Sequence, residues 1–475
     1  MKRREFITKT GLATATLMAS PLLLKGQRPA KFLSKRPPLS ARKFTSKAVE
    51  AEIARVKSLI ADPELAWMFE NCYPNTLDTT VEFDMRNGMP DTFVITGDIH
   101  AMWLRDSTAQ VWPYLPLTAN DNDLRLLILG VINRQTWCIH IDPYANAFNK
   151  EGTGSEWEND LTAMNPYLHE RKWEIDSLCY PVRLAHGYWK TTGDTSFFTP
   201  KFKQALDLIY QTFTEQQRKN GKGPYSFMRV TEKATDTVPM KGYGYPVRPN
   251  GLICSSFRPS DDATVYSFLI PSNFFAVETL NQMAEMHMKL GNDRASAQRC
   301  ESLAKEVGDA LAEHATFNHP KFGKIYAFET DGISNHLLMD DANVPSLLAM
   351  PYLGSLPASD KTYQNTRRFA LSDANPWYFE GKAGKGIGGP HVGEDMVWPL
   401  SIIVQALTSS SKTEIAQCLS ILKKTHAGTG FMHETFHKDD ATVFTREWFA
   451  WANTLFGELI IHVSHRYPDL LKQTF

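Results

Sequence analysis

An all-α fold is what this sequence predicts, and three observations carry that reading. Apolar residues recur at steps of three and four along most of the chain, and alternating apolar–polar runs are scarce. The same layout of helix, short turn, helix and longer polar-aromatic loop also keeps returning.

Taken in order, Val49, Ile53, Val56 and Ile60 step by four, three and four, marking one face of an amphipathic helix. DLRLLILGVINRQ (123–135) is nearly all apolar, as an inner helix covered on every side would be. Leu178, Val182 and Ala185 continue the rhythm up to a glycine stop in KTTGD. LNQMAEMHMKLGND (280–293) repeats that plan and ends at Gly291-Asn292-Asp293. Cys300, Leu303, Val307 and Ala310 form another stripe, as do Ile415, Leu419 and Leu422. Alternation is confined to two short runs, VEFDM and KIYAFET. With 475 residues, 43% of them hydrophobic, the chain can bury one large core, and nothing forces a second domain.

A formal net charge of -1 gives no electrostatic case for nucleic acid or an acidic membrane surface as partner. The six cysteines lie far apart with no CxxC, so they read as buried small hydrophobes rather than a zinc site or a disulfide framework. The start, MKRREFITKTGLATATLMASPLLL, joins a basic end to an apolar run shorter than the roughly 20 residues that span a bilayer. It fits an export signal over residues 1–27. Arg3-Arg4-Glu5-Phe6-Ile7 is similar to the bacterial twin-arginine signal, a Sec signal being the alternative. Residues 28–45 are basic and contain proline, which reads as a linker, and a single folded domain is expected over 46–475. These features predict an exported, periplasmic bacterial protein with no stable membrane insertion once the signal is removed.

The loops carry the chemistry. TGDIHAMWLRDSTAQVWPYL (96–115), DPYANAFN (142–149), KWEIDSLCYPV (172–182), the stretch 255–280 around FRPSDD, GGPHVGEDMVWPLSIIVQAL (388–407) and GTGFMHETF (428–436) each hold carboxylates, Arg or His beside Trp or Phe. Most run straight into an apolar helix. If helices alternate between inner and outer layers, these loops collect at one end of the molecule and form a pocket. The blander reading is helix capping, for which Ser107 and Ser260-Asp261 are good chemistry on their own. Most of the aromatic rings belong to the core on either reading.

HETFH places His433, Glu434 and His437 at the spacing of a zinc-protease helix. Gly428 and Gly430 precede it and Lys438-Asp439-Asp440 follow, a poor setting for a helix, and a third ligand would have to be Glu447 or Glu458. Carboxylate chemistry needs no metal and no cofactor. Cleaving a glycosidic bond takes one carboxyl to protonate the leaving oxygen and another to activate water or attack the sugar. Asp106, Asp261, Asp262, Glu394, Asp395 and Glu434 stand in suitable settings. An Asp261 at a helix start would have its anion stabilised by the dipole, so burial or the neighbouring Asp262 would have to raise its pKa before it could act as an acid.

The segments WLRDSTAQVWPYL, FRPSDDATVYSFLIPSNFFAV, GEDMVWPLSIIVQALTS, GFMHETF and TREWFAWANTLFGELI resemble, in order, the motifs of glycoside hydrolase family 125, exo-acting α-1,6-mannosidases. The resemblance runs from about residue 46 to the C-terminus. It implies an (α/α)6 barrel with the pocket at one end and metal-independent, inverting release of terminal mannose from α-1,6-linked manno-oligosaccharides or glycans. Carried over, the general acid falls in RPSDD, on Asp261 with Asp262 as the fallback, and the general base on Glu434. Arg105 and Asp106 would hold hydroxyls of the terminal mannose, with Trp103 nearby. Glu394 and Asp395 would line the site, and Asn273 and His433 are possible sugar contacts. Another inverting exo-glycosidase on the same barrel, or a zinc metallopeptidase at HETFH, are the alternatives.

Overall fold

Ser46 lies in extended backbone, and its hydroxyl oxygen accepts from the amide of Val49. That starts helix α1 (Lys47–Lys57), whose Val49, Ile53 and Val56 face is buried, as the periodicity predicts. The structure is a computed structural model and describes residues 32–475. Among the described residues, thirteen further α-helices follow: α2 (Pro63–Cys72), α3 (Asn75–Thr79), α4 (Leu104–Val111), α5 (Asn122–Ile141), α6 (Ile175–Thr192), α7 (Pro200–Gln216), α8 (Pro239–Gly242), α9 (Ile270–Gly291), α10 (Arg294–His314), α11 (Lys361–Ala370), α12 (Pro399–Leu407), α13 (Lys412–Lys424) and α14 (Ala450–Arg466). The described residues are mostly helical and their strands are short, the longest being the 6-residue Val81–Arg86, Met89–Val94 and Asp440–Thr445.

Two layers emerge from the packing. In the first, α4 packs on α6, α6 on α9, α12 on α14, and α14 back on α4. Between α9 and α12 that layer is continued by residues 341–350, buried turns rather than a helix. Asp340 fixes them by accepting from the amides of Leu347 and Leu348 at 2.8 and 2.9 Å, and the Tyr180 hydroxyl of α6 donates to the Val344 carbonyl at 2.9 Å. In the second layer α10 covers α9, α5 covers α6 and carries α7, α13 covers α12, and α2 covers α14. The apolar α5 is therefore covered on several sides, but it lies in the outer layer and not the inner one. It is enclosed by α6, α7 and the Val81–Val94 hairpin. Gly130 permits that approach, since a Cβ there would come within 2.9 Å of the Thr92 amide nitrogen.

The two layers differ in how their helices begin. Side chains of Asp62, Asp121, Thr199, Asp293 and Ser411 cap the outer helices α2, α5, α7, α10 and α13. The inner helices α4, α6, α9, α12 and α14 all start without a side-chain cap, from Trp103, Glu174, Leu269, Trp398 and Phe449. Their first amides are thus left to other partners at one shared end. Ser107 accordingly is not a cap: it lies inside α4 and donates to the Leu104 carbonyl. At the other ends, Gly193 and Asn292 take left-handed backbone and stop α6 and α9, where KTTGD and GND predict it.

Ser34–Phe475 is one unit, so folded structure begins ahead of residue 46. The reason is Arg36, whose nearly buried guanidinium donates to Asp78 at 2.8 Å and to Glu50 at 2.9 Å, tying part of the basic segment to α1 and α3. The expected export signal, residues 1–27, lies outside the described residues. All six cysteines are free and buried. Among the described residues no helix is long and apolar enough to cross a membrane.

Candidate active site

Short strands bring the loops of the sequence together at the uncapped helix ends. Met102–Trp103 pairs with Ala147–Phe148, which pairs with Leu168–Glu170, joining the loops before α4 and α6. Met396–Val397 pairs with Thr435–His437, which pairs with Asp440–Thr445, joining the loops before α12 and α14. Together these loops wall one pocket. Its walls include Trp103, Arg105 and Asp106 from the first loop, Asp261, His391 and Trp398 from later ones, and Glu434, Arg446 and Trp451 from the last. Trp103, Trp398 and Phe449 are the residues that precede α4, α12 and α14 and also line the pocket. Aromatic walls stand there where capping side chains would otherwise be.

Arg105 organises the floor. Only 3% of its side chain is exposed, and four carboxylates surround it: Glu174 at 2.6 Å, Asp176 at 3.2 Å, Asp261 at 3.4 Å and Asp106 at 3.5 Å. One guanidinium does not neutralise four carboxylates, so their pKa values are driven apart. Burial, outweighing the pull of Arg105, pushes Asp106 and Asp176 up to about 6. Burial, with Asp261 and Asp176 adding to it, holds Glu174 well above the usual carboxylate range. Asp261 goes the other way: burial raises it, but Arg105 and Lys172 prevail and hold it below that range. The Lys172 ammonium also donates to the Asp261 carbonyl at 2.9 Å, and Asn146 donates to the Asp261 carboxylate at 3.3 Å.

Asp261 is not at a helix start. It sits in left-handed backbone (φ 64°) between the close-paired Phe257 and Ala263, nine residues ahead of α9. The expected dipole is absent, and the cations beside it set its charge. Across the pocket Glu434 occupies a bend just before the Thr435–His437 strand, nearly buried, with its carboxylate 3.6 Å from the Arg446 guanidinium. That bend disposes of the helical reading of HETFH. The His433 ring stacks on Phe444 at 3.8 Å and donates from Nδ1 to the Arg446 carbonyl, while His437 Nδ1 accepts from the Asp439 amide. Glu458 is spent on the Tyr352 hydroxyl. The shared helix face that would let two histidines grip one metal does not exist here.

Residues 62–461 match the sequence pattern of the GH125 family, described as metal-independent α-mannosidases. The chain belongs to that family. It is a glycoside hydrolase, and the GH125 match makes it an α-mannosidase. A solved Streptococcus pneumoniae structure from the metal-independent α-mannosidases, in a non-productive substrate complex with α-1,6-mannobiose, is 42% identical. It superposes with a TM-score of 0.85 over 90% of this chain and 99% of that one. The meiotically up-regulated gene 157 protein of the fission yeast Schizosaccharomyces pombe is 44% identical over 466 residues, covering 94% of this chain and 91% of that protein. A bacterial glucoamylase bound to acarbose shares the fold at a TM-score of 0.53 and 12% identity, over 90% of this chain and 58% of that one. The fission-yeast relative overturns the expectation of a periplasmic bacterial protein, because a near full-length match in a eukaryote points away from that setting.

Within this GH125 α-mannosidase, Trp103, Arg105, Asp106, Asp261 and Glu434 meet in the pocket as expected. Asp262 does not line it. Its buried carboxylate faces His391 at 3.6 Å and Lys233 at 3.7 Å, and these outweigh burial to hold it below the usual range. Asn273 is no sugar contact either: its amide accepts from the Ile253 N–H and donates to the Ile253 and Leu269 carbonyls. Glu394 is exposed, and Asp395, with 47% of its side chain exposed, pairs with Lys438 outside the pocket walls. His433 lies behind the wall and braces the Arg446 backbone. Sequence reasoning missed Glu174, Asp176, Lys172, His391, Arg446 and Trp451. Glu174 and Asp176 lie in KWEIDSLCYPV, a loop whose composition marks it, but only folding shows that its acids share Arg105.

Proposed function

We propose that the enzyme is an inverting, metal-independent exo-α-1,6-mannosidase on an (α/α)6 barrel. The observation that carries this is one pocket with Asp261 and Glu434 among its walls and the Arg105 cluster at its floor. Asp261 donates its proton to the glycosidic oxygen as the bond to the anomeric carbon breaks. Glu434 takes a proton from a water that attacks the opposite face of the ring, with about 6.5–9.5 Å expected between the two carboxyls. Arg105, Asp106 and Trp103, which line the pocket together, hold the terminal mannose. The alternation of inner and outer helices supports the barrel, and the mannobiose bound by the pneumococcal relative supports the linkage.

The test uses purified protein with α-1,2-, α-1,3- and α-1,6-linked mannobiose, with and without chelator, followed by proton NMR. Release of β-mannose from the 1,6-linked sugar alone, indifferent to chelator, is the expected result. Release of α-mannose would replace inversion by retention, and preference for another linkage would replace the substrate.

A further inference from the structure

The mechanism asks Asp261 to carry a proton while it sits between two cations, Arg105 and Lys172, that favour its anion. Something nearby must keep a proton available. Glu174, wholly buried at the start of α6 and sharing Arg105 with Asp261, is placed to do so. Its Oε2 is taken by the Arg105 guanidinium at 2.6 Å and by the Ser177 hydroxyl at 2.8 Å. Its Oε1 is buried and has no donor among the described residues. The two terminal nitrogens of Arg105 hold Glu174 and Asp261 side by side, Nη1 on Glu174 at 2.6 Å and Nη2 on Asp261 at 3.4 Å. Two buried carboxylates on one guanidinium repel each other, and a proton on the donor-less oxygen would relieve that repulsion.

We propose that Glu174 is a positioning residue for the general acid, sharing one proton with Asp261 across a carboxyl–carboxylate pair so that Asp261 can donate it to the leaving oxygen. This rests on the assignment of Asp261 above. In each turnover the pair's proton goes to the leaving alcohol as the glycosidic bond breaks, and Glu434 gains a proton from the attacking water. Loss of that proton from Glu434 to solvent and uptake of one by the pair restore the starting state, so the balance closes on hydrolysis alone. The groups facing Glu174 are Arg105 from α4, Asp176 from its own helix and Asp261 from the loop before α9. Lys172 acts through Asp261. The high position of Glu174 and the low position of Asp261 agree with a proton resting on Glu174 before substrate arrives.

The experiment compares α-1,6-mannobiose with 2,4-dinitrophenyl α-mannoside, whose leaving group needs no proton. Glu174→Gln keeps a hydrogen-bond donor beside Asp261 but has no proton to share. The alkaline limb of kcat/KM for mannobiose is expected to move down by about one pH unit or more, with about a tenfold or greater loss at pH 7. The activated substrate should be turned over within a few-fold of wild type. Equal losses on both substrates, or an unmoved alkaline limb, would overturn the proposal. Asp261→Asn is run alongside: if it hydrolyses mannobiose normally, the acid itself is misassigned and the inference falls with it. Should the Glu174 variant not fold, infrared difference spectra of wild type against Asp261→Asn at pH 7 decide. A protonated carboxyl band that shifts or vanishes supports the shared proton, and identical carboxyl bands refute it.

Discussion

Replacing Arg105 by Met removes the one cation common to Glu174, Asp176, Asp261 and Asp106 while keeping much of its volume. With 3% of the side chain exposed, solvent cannot stand in for the lost charge, and breaking a buried pair of this kind costs about 3–5 kcal/mol. Unfolding entropy of about 2.1 cal/mol/K per residue over Ser34–Phe475 gives about 0.9 kcal/mol per degree, so Tm should fall by about 3–5 °C. The deficit should depend on pH. A carboxyl whose folded pKa lies above its unfolded value resists ionisation in the native state. Its cost is absent below the unfolded pKa and fully present above the folded one. For Asp106 and Asp176 in the wild type that window runs from about 4 to about 6. Without Arg105 their folded values rise further, and the window stretches toward and beyond neutrality. Asp261, which Arg105 holds low, adds a deficit at both pH values, so scanning fluorimetry at pH 5 and pH 8 should find the larger total deficit at pH 8. A deficit that is the same at both, or larger at pH 5, would show that Arg105 is not what compensates these carboxylates.

Glu434→Gln should lower kcat by about 10²–10⁴-fold while calorimetry still detects mannobiose binding; near-normal turnover would remove Glu434 as the base. Asn273→Ala leaves the Ile253 amide and two carbonyls short of partners, costing about 1–3 kcal/mol with kcat/KM unchanged. A raised KM without loss of stability would return Asn273 to the sugar site. Arg36→Met should destabilise the protein by about 3 kcal/mol, through Asp78 and not Glu50, whose side chain is 37% exposed and screened by water. Chemical denaturation of Arg36→Met beside Glu50→Gln checks this, and a larger loss for Glu50→Gln would contradict it.

The helices were legible wherever one face differs from the other. Val49, Ile53 and Val56 in α1, Cys300, Leu303 and Val307 in α10, and Ile415, Leu419 and Leu422 in α13 are buried as their spacing requires. α14 was less so, because burial along most of its length leaves no polar face to set a period. The position of α5 in the outer layer was not legible for a related reason: periodicity reports how much of a helix is covered, not by which neighbour. At the site, the loops that carry it were marked by composition, and Trp103, Arg105, Asp106, Asp261 and Glu434 do meet. Asn273, Asp262, Glu394 and Asp395 sit in motifs of the same appearance but turn to backbone, to His391 or to solvent.

By itself, then, the sequence determined the helical class, the stops at Gly193 and Asn292, the loops that hold the polar groups, and the family. These are local properties, fixed by side-chain spacing and backbone preference within a few residues. The tertiary structure alone decided the charges. Asp261 is held below the usual carboxylate range by Arg105 from 156 positions away and Lys172 from 89, and burial, with Asp261 and Asp176 adding to it, holds Glu174 above that range. HETFH bends at Glu434 because its own Phe436 and His437 pair into a sheet with Val397 and Met396. A carboxyl's pKa and a histidine's partner depend on distance in space, and that distance exists only once the inner helices have closed around the pocket.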